Sequence, residues 1–211
     1  MLLLLAVSTA YADTVRDSVT ATNDDIHGDP GTAWSLENYL GRLGNYGSGQ
    51  YLGLRFIHVD IPSGQTIDSS FILVFCTEED GSGDDCNVLI EGEGTAGSAT
   101  FSDSTDYVNR TRTTANVEWS SIEHFTTTNW YDTPDIQAVV EEQYELSGFD
   151  STMVFFLDDN SSTGDPVYAN RTISLNDDTP DVDISAKLIV YFSAGGGEPP
   201  ASTGGRFKVH R

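Results

Sequence analysis

Residues 52–75 read LGLRFIHVDIPSGQTIDSSFILVF, and this stretch decides the fold. Apolar residues alternate with others from Leu52 to Phe56, which places the two leucines and the phenylalanine on one face of an extended strand. Pro62 and Gly64 follow, and both residue types favour turns. A second, longer apolar run ends the stretch. The pattern therefore predicts two consecutive β-strands joined as a hairpin.

Short apolar runs of the same kind recur along the chain, separated by Gly, Asp and Asn. Their regular spacing favours an antiparallel β-sandwich over alternating β and α units. With 211 residues the chain can form one sizeable domain, which we expect to span residues 13–192. The predicted strands cover residues 14–21, 51–61, 65–75, 87–93, 98–103, 113–119, 152–158, 167–175 and 185–192.

One short helix interrupts the predicted strands at about residues 134–146. Thr133 can cap its start, and Pro134 suits the first helical position. Apolar residues recur at roughly helical spacing from Ile136 to Tyr144. We expect this apolar stripe to pack across one end of the sandwich.

Both ends of the chain differ in composition from the middle. The apolar run MLLLLAV and the A-x-A pattern at Ala10-Tyr11-Ala12 predict a secretory signal peptide over residues 1–12. The usual basic region is missing, so we expect the recorded start to lie a few residues late; an N-terminal strand or assembly arm is the alternative. Residues 193–211 are rich in Gly, Pro and Ser and indicate a linker or tail. The protein is therefore predicted to be secreted, to the extracellular space or the cell surface.

The net charge is the most unusual property of the composition. The chain has 33 acidic and 10 basic residues, which gives a formal charge of −23. Such a surface repels phosphate backbones and anionic lipids, which argues against nucleic acid and membrane partners. Cations, glycans and further copies of the chain remain as partners. Solubility in a salty medium is an equally good explanation of the acidity.

The chain has two cysteines, Cys76 and Cys86, on either side of the acidic segment TEEDGSGDD. An oxidising compartment favours their pairing, so we expect a disulfide that closes a hairpin loop. Two thiols or a pair of metal ligands are the alternatives.

The acidic residues of the chain supply the hard oxygen ligands that calcium prefers, so we consider a structural calcium ion. The simpler explanation is that these residues are solvated side chains in turns. The candidate calcium ligands are Asp24, Asp25, Asp80, Asp84, Asp85, Asp177 and Asp178.

Aromatic residues in polar loops can stack on sugar rings. Trp130 and Tyr131 are the first candidates for glycan binding, followed by Trp34, Tyr39 and Tyr46. The alternative for Trp130 is packing between the helix and the sheet.

The sequence also contains three N-x-[ST] sequons, at Asn109, Asn160 and Asn170. They are potential glycosylation sites in a host that uses them.

Several short segments, taken together in their order and spacing, carry a resemblance to a known family. They are Asp24-Asp25, Gly53-Leu54-Arg55-Phe56, VDIPSGQTI at 59–67, Ile90-Glu91-Gly92-Glu93, Val117-Glu118-Trp119, Thr133-Pro134-Asp135-Ile136, Gly148-Phe149, Arg171 and KLIVY at 187–191. Over about residues 15–192 the chain resembles secreted bacterial jelly-roll modules related to DNRLRE-type, carbohydrate-binding-like domains. The resemblance implies a jelly-roll sandwich that serves as an extracellular binding or structural module.

The sequence contains none of the common catalytic motifs, such as G-x-S-x-G, H-E-x-x-H or a P-loop. We therefore expect a protein that is not an enzyme. Two functions remain. The first is a self-assembling subunit of a surface filament, sheath or matrix, stabilised by cations, in which residues 14–21 could be donated to a neighbour. The second is a carbohydrate-binding or adhesion module that binds extracellular polysaccharide.

Overall fold

The computed structural model describes residues 13–29, 34–78, 86–160, 168–175 and 184–194. These residues form eleven strands, two α-helices and a short 3₁₀-helix at Thr22–Asp24. The strands are β1 (Asp13–Ser18), β2 (Asp25–Gly28), β3 (Leu40–Gly44), β4 (Tyr51–Phe56), β5 (Gln65–Phe75), β6 (Val88–Glu93), β7 (Arg112–Trp119), β8 (Trp130–Asp132), β9 (Met153–Asp159), β10 (Asn170–Ser174) and β11 (Lys187–Ala194). The helices are α1 (Ser104–Asn109) and α2 (Gln137–Tyr144).

Two antiparallel sheets make up most of the fold. The four-stranded sheet has the order β1-β11-β5-β8, and the five-stranded sheet has the order β2-β4-β9-β6-β7. A separate antiparallel pair is formed by β3 and β10. Strands that follow one another from β4 to β9 lie in different sheets, except β6 and β7, as expected for a jelly roll. The predicted all-β, jelly-roll-like sandwich is therefore confirmed.

The core lies between the two sheets. Leu52, Leu54 and Phe56 from β4 are fully buried, as their alternation predicts, and they share one apolar cluster with Ile72 and Val74 from β5. Full burial of a side chain of this size contributes about 1.5–3 kcal/mol to stability. The same cluster includes residues from α2 and from both sheets, so its packing holds the two sheets together.

The predicted hairpin over residues 52–75 is wrong in its pairing. β4 pairs with β2 and β9, whereas β5 pairs with β11 and β8. Residues 57–64 therefore carry the chain from one sheet to the other. Val59 and Ile61 within this connection are buried in the common core, which stabilises a crossing between sheets instead of a tight turn.

The predicted helix exists but is shorter than expected. Thr133 and Asp135 lie outside α2 because they bond to β5. The Thr133 hydroxyl oxygen accepts a hydrogen bond from the Ile72 N–H at 3.0 Å, and Asp135 Oδ1 accepts one from the Ser70 N–H at 2.9 Å. The apolar stripe is buried as predicted, since Val139 and Val140 are inaccessible to solvent.

Five elements were not predicted from the sequence, one of them the 3₁₀-helix at Thr22–Asp24. Residues 98–103 do not form the expected strand, and α1 follows them instead, with Asp103 Oδ1 accepting a hydrogen bond from the Asp106 N–H. The short strands β2, β3 and β8 also lack a clear alternating signal. In β2, for example, all four residues are buried, including the polar Asp25 and His27.

The structure contains no disulfide between Cys76 and Cys86, contrary to the prediction. Because β5 and β6 lie in different sheets, the two strands beside the cysteines do not form the predicted hairpin. Both side chains are fully buried. The Cys76 thiol donates to the Glu78 carbonyl at 3.0 Å, and the Cys86 thiol donates to the Leu43 carbonyl at 3.5 Å.

The two ends of the chain lie largely outside the residues that the structure describes. The proposed signal peptide, residues 1–12, lies outside the described residues, as does the tail from residue 195 onward. Strand β11 continues to Ala194, slightly past the predicted domain end at residue 192. Neither α1 nor α2, nor any other described helix, has the length and apolar character needed to cross a membrane.

Candidate binding face

The outer side of the four-stranded sheet carries an unusual number of apolar residues. Along β5, Ile72 and Val74 point into the core, so Phe71, Leu73 and Phe75 point away from it. These three side chains are only half-buried. An antiparallel sheet normally places polar residues on its solvent side, so this face departs from the common pattern.

Strand register extends the apolar surface across three strands. Ile189 of β11 lies opposite Phe71, and Trp130 of β8 lies opposite Phe75. Tyr191 lies two residues further along β11 from Ile189 and therefore points to the same side. We call this surface the outer face. Its six apolar residues are Phe71, Leu73, Phe75, Trp130, Ile189 and Tyr191.

Trp130 lies at one end of the outer face. Its ring centroid is 5.1 Å from that of Phe75, with the planes tilted by 58°. The Lys187 ammonium nitrogen lies 4.3 Å from the centroid of the Trp130 ring, a cation–π contact. Trp130 remains half-buried. It therefore packs on its neighbours in the sheet, and the structure does not place it between the helix and the sheet.

Tyr131 does not share the outer face with Trp130. Successive residues of a strand point to opposite sides, so Tyr131 points inward. Its ring stacks on Phe125 at 3.9 Å with an interplanar angle of 13°, and its hydroxyl accepts a hydrogen bond from the Thr126 N–H at 2.5 Å. Trp130 and Tyr131, the first candidates for glycan binding, therefore lie on opposite sides of β8, and Tyr131 packs against the core.

Trp34, the third predicted glycan-binding residue, belongs to a different surface. Its ring lies 4.8 Å from Tyr107 and 6.0 Å from Tyr51, on the outer side of the five-stranded sheet. The ring also presses against Gly28, where an added Cβ would lie 2.5 Å from the indole. Trp34 is thus a packing residue in the aromatic cluster that covers this sheet.

Two cationic side chains line the outer face of this strongly acidic protein. Arg16 of β1 lies opposite Ile189, and Lys187 lies opposite Leu73. Together with these residues they line a groove of about 320 Å³. Most other arginines in the described residues are engaged inside the fold. Arg55, Arg110 and Arg112 form ion pairs, and Arg171 donates to backbone carbonyls.

Of the predicted calcium ligands, only Asp24 and Asp25 lie among the residues that the structure describes. Asp24 and Asp25 are each 1% exposed, and Asp24 Oδ1 lies 2.5 Å from the Arg55 guanidinium. No group of three or more His, Cys, Asp or Glu side chains suited to a metal occurs among the described residues. Asp80, Asp84, Asp85, Asp177 and Asp178 lie outside those residues. The calcium hypothesis therefore stays a prediction.

A buried polar network on the five-stranded sheet was not predicted from the sequence. The Tyr107 hydroxyl of α1 donates a hydrogen bond to Asp158 of β9, and the Arg112 guanidinium lies 3.6 Å from Asp158 Oδ2. Burial raises the pKa of Asp158 to about 6 and raises the pKa of Tyr107 well above its usual value. The Arg112 guanidinium also lies 3.1 Å from the centroid of the Phe156 ring. The network attaches α1 to the sheet.

The three predicted glycosylation sites have different exposure. Asn109 at the end of α1 and Asn160 after β9 are exposed. Asn170 of β10 is only 2% exposed, so it cannot carry a glycan in this packing, contrary to the prediction.

Sequence analysis missed most of the outer face, although a signal for it is present. Residues 71–75, FILVF, are five consecutive apolar residues, so both sides of this strand must be apolar. One side is the core, and the other is the outer face. Comparison with protein-family models and with curated proteins finds no match to the chain.

Proposed function

We propose that the chain is a non-catalytic extracellular module that binds polysaccharide through its outer face. The observation that carries this proposal is the row of six apolar residues on the solvent side of the four-stranded sheet, of which four are aromatic and five are half-buried. Ile189, the sixth, is 7% exposed. Aromatic rings stack on the apolar faces of sugar rings, and neighbouring polar groups set orientation.

The dimensions of the outer face suit an extended chain. Phe75 and Phe71 are four residues apart on β5, which corresponds to about 13 Å along the strand. Tyr191 lies opposite Ser69 and lengthens the row to about 20 Å. Arg16 and Lys187 lie beside this row and can donate hydrogen bonds to ring or hydroxyl oxygens. A polysaccharide segment of several residues would therefore contact both the rings and the cations.

Self-assembly remains a second candidate because β1 is an edge strand of the four-stranded sheet. An edge strand can pair with another chain. Within β1, however, Asp13, Arg16 and Asp17 place three charges in six residues, and charges on an edge discourage such pairing. The strand also pairs with β11 of its own chain over all six residues, so its donation to a neighbour would require this pairing to break.

Binding of the purified chain to a panel of soluble and insoluble polysaccharides tests the proposal. Trp130→Ala and Tyr191→Ala are each expected to weaken binding about tenfold, since stacking by one aromatic ring is lost. Tyr39→Ala is the matched control, because Tyr39 is 50% exposed but precedes β3, away from the outer face. Equal loss of binding in all three variants, or no polysaccharide bound by the parent, would contradict the proposal.

Light scattering over a range of protein concentrations separates the two candidates. The proposal expects the same mass at every concentration. If the mass of the parent rises with concentration and the mass of Trp130→Ala does not, the outer face would instead form contacts between copies. Val15→Pro adds a proline to edge strand β1. If this variant abolishes the rise in mass and Trp130→Ala does not, pairing through the edge of the sheet is favoured.

A further inference from the structure

A second aromatic cluster lies at one end of the β3–β10 pair, away from the outer face. Its rings belong to Tyr46, which follows β3, and Tyr168, which precedes β10. The two residues are 44% and 48% exposed. Their ring centroids are 5.1 Å apart in an edge-to-face arrangement of 72°. The Arg42 guanidinium lies over the Tyr46 ring, 4.2 Å from its centroid.

Backbone hydrogen bonds fix the positions of the two tyrosines. The Asn45 N–H donates to the Ala169 carbonyl at 3.0 Å, which joins the residue before Tyr46 to the residue after Tyr168. The turn after β3 is closed by a bond from the Gln50 N–H to the Gly44 carbonyl at 2.9 Å. The cluster is therefore held by the sheet framework, and its side chains need little ordering before they bind a ligand.

Arg42 differs from the arginines that stabilise the fold. Within the described residues it forms no ion pair, whereas Arg55, Arg110 and Arg112 each contact carboxylates. Its contact with Tyr46 orients the plane of the guanidinium. A planar guanidinium presents paired N–H donors that match the two oxygens of a carboxylate.

Tyr168 has a backbone conformation that tyrosine rarely adopts, with a φ of +81°. Positive φ is strained for a bulky residue and is usually found at glycine or asparagine. Because about half of the side chain is exposed, burial of the ring in a core does not account for the strain. Strain of this kind occurs at functional sites, where a side chain must be presented in one direction.

We propose that Arg42, Tyr46 and Tyr168 form a binding site for a carboxylated sugar residue, such as a uronate. The guanidinium of Arg42 donates a pair of hydrogen bonds to the carboxylate oxygens, and the exposed Tyr168 ring stacks on the apolar face of the pyranose. The tyrosine hydroxyls donate to and accept from sugar hydroxyls. The site is separate from the outer face and does not depend on it.

The acidic charge of the chain does not prevent local recognition of an anion. At 0.15 M ionic strength the Debye length is about 8 Å, so distant carboxylates are largely screened while the contact with Arg42 is not. Binding should therefore be measured near this ionic strength, where the repulsion from distant carboxylates is largely screened.

Calorimetric titration with a galacturonate oligosaccharide, against the matched neutral galactose oligosaccharide, tests the site. The parent is expected to bind the acidic oligosaccharide at least tenfold more tightly. Arg42→Lys keeps the charge but loses the paired donors, and it is expected to remove most of this preference. Tyr39→Ala is the control and is expected to bind like the parent. Equal affinity for both oligosaccharides, or Arg42→Lys with parental affinity, would overturn the proposal.

Tyr168→Asn separates binding from folding, since asparagine tolerates positive φ better than tyrosine. It is expected to lose at least tenfold in affinity for the acidic oligosaccharide while its Tm equals or exceeds that of the parent. If Tyr168→Asn binds the acidic oligosaccharide as tightly as the parent, the proposed role of the Tyr168 ring is overturned. A lower Tm than that of the parent would show that Tyr168 stabilises the fold instead. Inorganic sulfate that binds as tightly as the oligosaccharide would reduce the site to a general anion site and would also overturn the proposal.

Discussion

The outer surfaces of the two sheets differ although both are rich in aromatic residues. On the five-stranded sheet, Phe156 of β9 is covered by Phe101 and Tyr107, and all three are at most 1% exposed. On the four-stranded sheet, Phe71 and Phe75 of β5 are only half-buried. One surface is thus part of the protein interior, whereas the other keeps its rings accessible.

This difference shows that apolar residues on a sheet surface have two separate uses. The five-stranded sheet acquires a second small core because α1 and the segment before it fold over it. Gly53 permits this approach, since an added Cβ would lie 2.5 Å from the Phe101 ring. The outer face lies on the four-stranded sheet, where the same type of residue remains available for a ligand.

The largest expected effect comes from truncating one phenylalanine on each surface. Phe156→Ala is expected to lower the free energy of unfolding by about 3–5 kcal/mol, because it leaves a cavity in a closed cluster. Phe71→Ala is expected to lower it by only about 1 kcal/mol, because the ring is already partly exposed to water and its loss leaves no closed cavity. Denaturation in urea measures both values. Similar losses for the two variants would remove the distinction between the surfaces.

Gly53→Ala is expected to have an intermediate effect. The added methyl group would meet the Phe101 ring and separate the covering segment from β4, which should cost about 1–3 kcal/mol of stability. Ser69→Ala on the outer side of β5 is the matched control, with a change within about 0.5 kcal/mol. Thermal unfolding measures the Tm of both variants. A Tm of Gly53→Ala equal to that of the control would contradict the close packing of Phe101 on Gly53.

The smallest effect is a pH dependence of the closed surface. Because burial raises the pKa of Asp158 to about 6, its contribution to stability is fully present below about pH 4 and is lost as the pH rises through 6. Burial lowers the pKa of His27 to about 4, which gives the opposite slope over the same range. The parent must therefore be compared with Asp158→Asn at each pH.

The stability of the parent relative to Asp158→Asn is expected to fall by on the order of 1 kcal/mol between pH 4 and pH 7. Urea titrations at several pH values measure this difference, in which the contribution of His27 cancels. A difference that rises with pH would mean that Arg112 and the Tyr107 hydroxyl stabilise the charged carboxylate more than burial destabilises it.

The fold class could be predicted from the sequence, but the strand pairing could not. Alternation from Leu52 to Phe56 is a local property of a strand, and it identifies the buried side correctly. Pairing depends on partners far along the chain. Leu54 and Ile72 enter the same core from opposite sheets, so their local sequences cannot distinguish a hairpin from a crossing. The hairpin assumed between Cys76 and Cys86 failed for the same reason, since β5 and β6 also lie in different sheets.

The candidate sites were predictable only in part. Trp130 was identified by its residue type, but β8 has only three residues and gives no periodic signal that would separate Trp130 from Tyr131. The apolar run at residues 71–75 could have identified the outer face. Nothing in the sequence indicates the positive φ of Tyr168, because tyrosine is a residue type that rarely adopts this conformation.

Oxidative footprinting of the chain with and without a bound polysaccharide tests the central claim most directly, because it reports which aromatic side chains the ligand covers. The account predicts that Trp130, Phe75 and Tyr191 become protected while Trp34 and Tyr39 do not change. Protection of Trp34 without protection of Trp130, or no change on the outer face when polysaccharide is bound, would contradict it.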